Sequence, residues 1–209
     1  MKTLIAIPCM DQVAAGFCGS LATMNRVGEA TVSMLCGSLV YDSRNKLCQQ
    51  ALKMGVDYIL WLDSDMTFTP DLMEKMVKHM EDGKDIVTGL YFRRAHPFSP
   101  VIFSKLDKVT DEYCEWTNLE DYPEAEPFEI AGCGFGALMV NMKVVIDIAL
   151  NYKTWFDPMC RVGEDLAFCL RARELGYKIW CDPTIKLGHM GQLLVTEDMY
   201  KATRKELKK

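Results

Sequence analysis

The central strand of the predicted fold is Val56-Asp57-Tyr58-Ile59-Leu60-Trp61-Leu62, and Asp63-Ser64-Asp65 follows it directly. A short apolar run rich in Val, Ile, Tyr and Trp is typical of a buried β-strand. In an open α/β sheet, ligands bind outside the carboxyl ends of the strands. Side chains alternate along an extended chain, so the carboxylates of Asp63 and Asp65 are expected to point in roughly the same direction.

Two converging carboxylates beside a ligand crevice suit a hard divalent cation, which prefers oxygen ligands and often bridges to the phosphates of a substrate. The alternative is a loop that happens to be acidic, because the pattern Asp-x-Asp is common in proteins. The rest of the chain has to distinguish these two interpretations.

Composition indicates an ordinary globular protein with 209 residues, of which 49% are hydrophobic and 25% are charged. This length is enough for one domain, residues 1–209, with a sizeable core. The net charge of -5 argues against a nucleic-acid partner, which needs a basic surface. A polyanionic small ligand remains compatible with it, since a metal ion can supply positive charge.

The nine cysteines include no C-x-x-C pair and no zinc-site spacing. An odd number of cysteines, with no leader sequence ahead of them, predicts reduced thiols in a cytoplasmic protein. The sequence contains no stretch long and apolar enough for a transmembrane segment.

Apolar patterns and turn residues predict alternating strands and helices over the first half of the chain. The predicted strands are 3–8, 32–39, 56–62 and 85–92, and the predicted helices begin near 41 and 69 and end at Gly55 and Gly83. A methionine-rich stripe in the second helix is expected to pack in the core. This alternation predicts an α/β fold with a mostly parallel central sheet, flanked by helices and joined by right-handed crossovers.

After residue 92 the pattern changes to short β-like pieces, which predict a small antiparallel portion. Gly132, Gly134 and Gly136 then lead into another buried strand, where they allow either a ligand or a packed side chain to approach the backbone. The final predicted elements are helices over 143–150 and 163–175, strands over 177–181 and 184–188, and a polar helix or tail over 192–209.

Two further features could carry chemistry. Glu164-Asp165 begins a helix, where acids offset the helix dipole, although either carboxylate could also serve as a general base. His189 follows a strand and is either a structural residue or a metal ligand.

The order of these features resembles that of small, single-domain glycosyltransferases of the GT-A fold, especially those of family 2. The resemblance rests on Ile5-Ala6-Ile7-Pro8, Ser43-Arg44-Asn45, Asp63-Ser64-Asp65, Gly163-Glu164-Asp165, Asp182-Pro183 and His189. It implies transfer of a hexose from a nucleoside diphosphate sugar, with UDP as the favoured nucleotide, to a hydroxyl of an unknown glycan, protein or lipid.

The resemblance also implies roles for individual residues. Asp63, Asp65 and His189 would hold Mn²⁺ or Mg²⁺. Asp165 would be the catalytic base, with Glu164 as the second choice. The residues expected to contact the nucleotide are Pro8, Asp11, Arg44, Asp63, Ser64 and Gly134, although Arg44 could instead bind a carboxylate.

Two alternatives remain open at this stage. A sugar-phosphate nucleotidyltransferase is also α/β and metal-dependent, but it normally carries a basic glycine-rich loop after the first strand, and residues 9–19 contain no Lys or Arg. The second alternative is a module that has the same fold and binds a nucleotide sugar but does not catalyse its transfer.

Overall fold

The computed structural model describes residues 1–191, which form twelve strands and five helices. The strands are β1 (Lys2–Cys9), β2 (Glu29–Cys36), β3 (Tyr58–Leu62), β4 (Met66–Thr67), β5 (Ile86–Leu90), β6 (Ile102–Lys108), β7 (Cys114–Asn118), β8 (Phe128–Ile130), β9 (Gly132–Cys133), β10 (Ala137–Asn141), β11 (Ile179–Lys186) and β12 (Gly188–His189). The helices are α1 (Ala15–Thr23), α2 (Val40–Met54), α3 (Leu72–Glu81), α4 (Met142–Asn151) and α5 (Glu164–Glu174). None of these helices is long and apolar enough to cross a membrane. The polar helix or tail predicted over 192–209 lies outside the described residues.

A seven-stranded central sheet has the order β2-β1-β3-β10-β5-β11-β8, and only β10 and β8 run against the other strands. The predicted α/β class with a mostly parallel sheet is therefore confirmed. One feature differs from the prediction: β10 lies between β3 and β5, which are separated by a single helix in the chain. Periodicity shows that a strand exists but not which strands it pairs with, so this insertion was not predictable.

Both faces of the central sheet are covered, because successive strand residues point to opposite sides. In β1, Leu4 and Ala6 join one hydrophobic cluster, while Ile5 and Ile7 join the other. Helices α2, α4 and α5 pack against the sheet in the first cluster, and helices α1 and α3 pack against it in the second. The methionine-rich stripe of α3 is buried, as predicted.

Two smaller sheets complete the fold. Strands β7, β6 and β9 form an antiparallel sheet, which confirms the predicted antiparallel portion, and β4 pairs with β12 in a two-stranded ribbon. The segment predicted as two strands around Asp182-Pro183 is instead one strand, β11. Its pairing with β5 shifts register between Asp182 and Lys186, and this bulge accommodates the proline, which cannot donate a hydrogen bond to the sheet.

Two helix ends agree with the predicted signals. Gly55 ends α2 in a left-handed conformation, with φ of 61°, and its amide bonds back to the last turn. Helix α5 begins at Glu164, as predicted, and therefore presents the Glu164-Asp165 pair at its N-terminus. Its buried face includes Ala167, Phe168, Leu170 and Arg171.

Candidate active site

A cleft of about 1080 Å³ opens at the edge of the central sheet where β1 and β3 end. Nine of the ten residues selected from the sequence line this single cleft. They are Pro8, Asp11, Arg44, Asp63, Ser64, Asp65, Glu164, Asp165 and His189. The carboxyl ends of parallel strands meet at one edge of a sheet, which is why residues far apart in the chain converge there.

Backbone hydrogen bonds hold the Asp63-Ser64-Asp65 turn on three sides. The amide of Asp63 donates to the Gly136 carbonyl at 3.0 Å, and the amide of Ala14 donates to the Ser64 carbonyl at 3.0 Å. The amide of Met190 donates to the Asp65 carbonyl at 2.8 Å. The turn is therefore fixed to β10, α1 and the end of the β12 ribbon, and its carboxylates are positioned before any ligand arrives.

The β4–β12 ribbon places His189 beside Asp65, because His189 pairs with Met66, the next residue in the chain. The Nδ1 atom of His189 lies 2.8 Å from the Phe92 carbonyl oxygen, and Nε2 lies 3.6 Å from Asp65 Oδ2. When the ring is neutral, a hydrogen on Nδ1 donates to that carbonyl and Nε2 is the nitrogen left to bind a cation. Burial by itself lowers the pKa of His189, but bonding to Asp65 and to the carbonyl outweighs burial and the net pKa is raised.

Arg44 is the buried centre of charge below the cleft, with 1% of its side chain exposed. Its guanidinium lies 2.9 Å from Asp63 Oδ1, 3.4 Å from Asp165 Oδ1 and 3.8 Å from Glu164 Oε1. It also sits among the rings of Trp61, Phe135 and Phe156, at 5.1 to 5.7 Å from their centroids. In the structure Arg44 thus binds carboxylates, which was one of the two roles expected for it.

Asp165 has a strongly perturbed carboxyl group. Burial raises its pKa to about 8, since the attraction of Arg44 is outweighed by burial and by the nearby charges of Glu164 and Asp63. Its Oδ2 accepts a hydrogen bond from the Phe135 amide at 3.3 Å, whereas Oδ1 faces Arg44. Burial likewise raises the pKa of Asp63, although Arg44 opposes the rise.

Arg94 is a site residue that sequence reasoning missed. Its Nη1 donates to Asp65 Oδ2 at 2.7 Å, and its aliphatic carbons lie where a side chain at Gly191 would otherwise be. Burial by itself raises the pKa of Asp65, but His189 and Arg94 reverse this and the net pKa is lowered. The only sequence signal was the basic pair Arg93-Arg94 shortly after a predicted strand.

Gly134 is the one selected residue that the cleft does not include. A side chain at Gly134 would collide with the Tyr91 hydroxyl and would lie 2.8 Å from Val101. Tyr91 also accepts a hydrogen bond from the Gly136 amide at 3.2 Å. The glycines therefore make room for a buried tyrosine of the protein itself, which was the packing alternative.

A cation fits part of the predicted ligand set. Within residues 1–191, no three acidic, histidine or cysteine side chains come close enough together to enclose a metal ion by themselves. Asp65 and His189 are nevertheless adjacent, and Nε2 of His189 lies 3.6 Å from Asp65 Oδ2. Asp63 is less suited to direct coordination, because its Oδ1 is bound to the buried Arg44, whereas the arginine bound to Asp65, Arg94, is exposed.

Comparisons with known proteins concern a segment of the sequence and the fold. The family model "Glycosyl transferase family 2" matches residues 40–129, and no curated protein matches the chain. Part of this chain is therefore similar to family 2 glycosyltransferases.

Two solved structures show the same fold. A197 from STIV is 19% identical, with a TM-score of 0.64, and the match covers 94% of this chain and 97% of that one. GalNAc-T7, solved with UDP, GalNAc and Mn²⁺, is 11% identical, also with a TM-score of 0.64. That match covers 92% of this chain but only 44% of GalNAc-T7.

The matched family segment contains only part of the candidate site. It includes Arg44, Asp63 and Asp65, whereas Asp165 and His189 lie beyond residue 129. Helix α5 and the β4–β12 ribbon bring these two later residues to the cleft. The three-dimensional arrangement, more than the matched sequence, therefore unites the candidate catalytic residues.

Proposed function

We propose that this protein is a glycosyltransferase that uses a divalent cation to transfer a sugar from a nucleoside diphosphate sugar, with UDP as the nucleotide, to an acceptor hydroxyl. The single observation that carries the proposal is the meeting of Asp65, His189 and Asp165 in one cleft. A pair of cation ligands and a carboxylate of raised pKa in one cleft are the parts that such a transfer needs.

The charge of the cleft supports cation dependence. Five acidic residues line it (Asp11, Asp63, Asp65, Glu164 and Asp165), against the three arginines Arg44, Arg93 and Arg94. Two of the arginines are already paired with these carboxylates. A diphosphate would therefore enter a cleft with little free positive charge and would be repelled unless a cation accompanied it.

Asp65 and His189 would hold the cation, which when bound neutralises charge on the departing diphosphate. Asp63 and Ser64 would contact the nucleotide, and Pro8 and Asp11 would form the wall beside its base. Arg44 keeps Asp63 and Asp165 in place from below and leaves the phosphate contacts to groups nearer the surface.

Asp165 would accept the proton of the acceptor hydroxyl. Its Oδ1 is fully buried and faces Arg44, so Oδ2 is the oxygen that can reach a ligand in the cleft. A carboxyl whose pKa is raised to about 8 is a stronger base than an ordinary aspartate once it is ionised. Glu164 is the alternative base on the same turn of α5.

Replacing the proposed cation ligand tests the first part of the mechanism. Asp65→Ala is expected to abolish Mn²⁺-dependent UDP binding, measured by isothermal titration calorimetry. Asp111→Ala is the matched control, since Asp111 is a highly exposed acid that does not line the cleft. Equal UDP affinities for the wild type and Asp65→Ala would refute the assignment.

Replacing the proposed base tests the second part. Asp165→Asn is expected to keep UDP affinity and to lower turnover by roughly 10² to 10⁴, the usual contribution of a general base. Turnover is measured as nucleoside diphosphate release from a panel of labelled nucleotide sugars with Mn²⁺. Normal turnover would transfer the role to Glu164, tested with Glu164→Gln.

The same assay separates the alternative functions. Release of pyrophosphate would indicate a nucleotidyltransferase, and donor binding without any release would indicate a binding module.

A further inference from the structure

The last residues of β1 and β2 are both cysteines, and they are directly paired across the sheet. Cys9 and Cys36 are partners in the parallel register, and their sulfur atoms lie 3.2 Å apart as free thiols. Neighbouring strands are about 4.8 Å apart, which is within the range of roughly 4.4 to 6.8 Å between the Cα atoms of disulfide-bonded cysteines. The backbone therefore already has the spacing of a disulfide.

The two thiols differ in accessibility. Cys36 is exposed, whereas Cys9 is 7% exposed and lines the wall of the cleft beside Pro8 and Asp11. The amide of Gly37, the residue after Cys36, donates to the Cys9 carbonyl at 2.9 Å, so the two strand ends are also joined through the backbone. Cys9 and Gly37 both line the cleft, so a bond between Cys9 and Cys36 would form at its wall.

We propose that Cys9 and Cys36 are a redox modification site, which forms a reversible disulfide and weakens donor binding when oxidised. The statement about donor binding rests on the proposed function, since it assumes that the cleft binds a nucleotide sugar. The disulfide itself does not depend on that assumption.

A small-molecule disulfide, such as oxidised glutathione, supplies the oxidising equivalents. The thiolate of Cys36 attacks one sulfur of this reagent, forms a mixed disulfide and expels one thiolate, which takes up a proton. The thiolate of Cys9 then attacks the Cys36 sulfur, forms the protein disulfide and expels the second thiol. Two protein thiols lose two electrons and two protons, and one disulfide is reduced to two thiols.

The order of attack follows from the environment of Cys9. Burial, the bond to Cys36 and the charges of Cys36 and Asp11 raise the pKa of Cys9 to about 11, so its thiolate is scarce near neutral pH. The exposed Cys36 therefore meets the oxidant first. Once Cys36 is in a mixed disulfide it carries no charge, and one of the causes that raise the pKa of Cys9 is removed.

The disulfide is tested on the full chain in glutathione buffers of increasing oxidised fraction. After alkylation, trypsin cuts at Lys2, Arg26 and Arg44, so that residues 3–26 carry Cys9 and Cys18 while residues 27–44 carry Cys36. Mass spectrometry without reduction is expected to show these two peptides cross-linked. Fragmentation should place the link at Cys9, and dithiothreitol should remove it.

Cys36→Ser is the test variant because Cys36 is exposed and does not line the cleft, whereas replacing the buried Cys9 could disturb folding. The variant should lose the cross-link, and Cys18→Ser, which removes the other exposed cysteine, should retain it. Full alkylation of Cys9 and Cys36 in the most oxidising buffer, or a link from Cys36 to Cys18, would overturn the disulfide.

UDP binding with Mn²⁺ tests the consequence for the donor site. Oxidation is expected to raise the dissociation constant several-fold in the wild type and to leave that of Cys36→Ser unchanged. A cross-linked protein with unchanged UDP affinity would overturn the effect on binding. A protein that forms the cross-link but binds no UDP in either redox state would overturn the proposed function and support the disulfide.

Discussion

Arg44→Met tests whether one buried guanidinium holds the acidic residues of the cleft together. Methionine keeps a flexible apolar side chain among the three rings around Arg44 but removes the charge. Asp63, Glu164 and Asp165 then lose the cation that lies 2.9 to 3.8 Å from their oxygens. Their mutual repulsion, together with their burial, should destabilise the folded state.

The expected size of this effect follows from the burial of the four groups. Removing one partner of a fully buried ion pair typically costs about 3–5 kcal/mol. Arg44 is fully buried, but the side chains of its three partners are 20 to 31% exposed, so solvent screens part of the loss. We therefore expect the lower end of that range, about 3 kcal/mol in alkaline solution. For a domain of this size, that loss lowers Tm by roughly 6–12 °C.

The cost of Arg44→Met should depend on pH with a definite sign. Arg44 holds the pKa values of Asp63 and Asp165 lower than burial alone would set them, so its stabilising contribution exists only while these carboxyls are ionised. It should be largest above about pH 8 and should fall to about 1 kcal/mol near pH 5, where Asp165 is protonated in the wild type as well.

Thermal unfolding at about pH 9 and about pH 5 measures this difference. Arg171→Met is the matched control, because Arg171 is also buried but donates to the backbone carbonyls of Trp155 and Asp157, each at 2.8 Å. Its cost should be nearly the same at both pH values, since carbonyl oxygens do not titrate. Equal pH dependence of the two variants would refute the role assigned to Arg44.

Three further predictions concern the base, the cation and the packing of the site. The kcat/KM for donor consumption should rise with pH through about 8, because Asp165 must lose its proton to act as the base. Asp165→Asn should remove this rise. A wild-type kcat/KM that does not change with pH would exclude Asp165 as the base. Arg94→Ala should tighten Mn²⁺ binding to the ligand-free protein roughly two- to five-fold, because it releases Asp65 from an exposed ion pair. Electron paramagnetic resonance measures the Mn²⁺ affinity, and an unchanged affinity would contradict this prediction. Gly134→Ala should cost about 1–3 kcal/mol because its methyl group meets Tyr91, whereas Gly163→Ala, with no atom within 4 Å of the added carbon, should unfold close to the wild-type temperature.

Much of the fold was predictable because its elements leave local signals. The strand before Asp63 and the helix end at Gly55 can both be identified from a few neighbouring residues. The position of β10 between β3 and β5 depends on pairing between distant segments, which leaves no local signal. The continuity of β11 through Pro183 was also missed, because a proline ends a strand unless a bulge accommodates it.

The candidate site shows a similar division. Nine selected residues converge because they follow strands or begin a helix at one edge of the sheet, and the sequence predicts that placement. The sequence does not predict which charged side chains pair with one another. Arg44 could have faced a ligand or a carboxylate, and only the packed structure shows it beneath three acids. The contacts of Arg94 with Asp65 and of Tyr91 with Gly134 depend in the same way on tertiary packing.

Arg44 connects the two halves of the proposed mechanism. Its guanidinium contacts Asp63, two residues from the proposed cation ligand Asp65, and also Asp165, the proposed base. One positive charge cannot fully compensate three neighbouring carboxylates, so one of them keeps a proton near neutral pH, as the raised pKa of Asp165 indicates. Positive charge that arrives near Asp63 lowers the cost of ionising Asp165, because it adds to the field that Arg44 alone supplies. Asp165 is therefore expected to ionise more readily once the cation is bound.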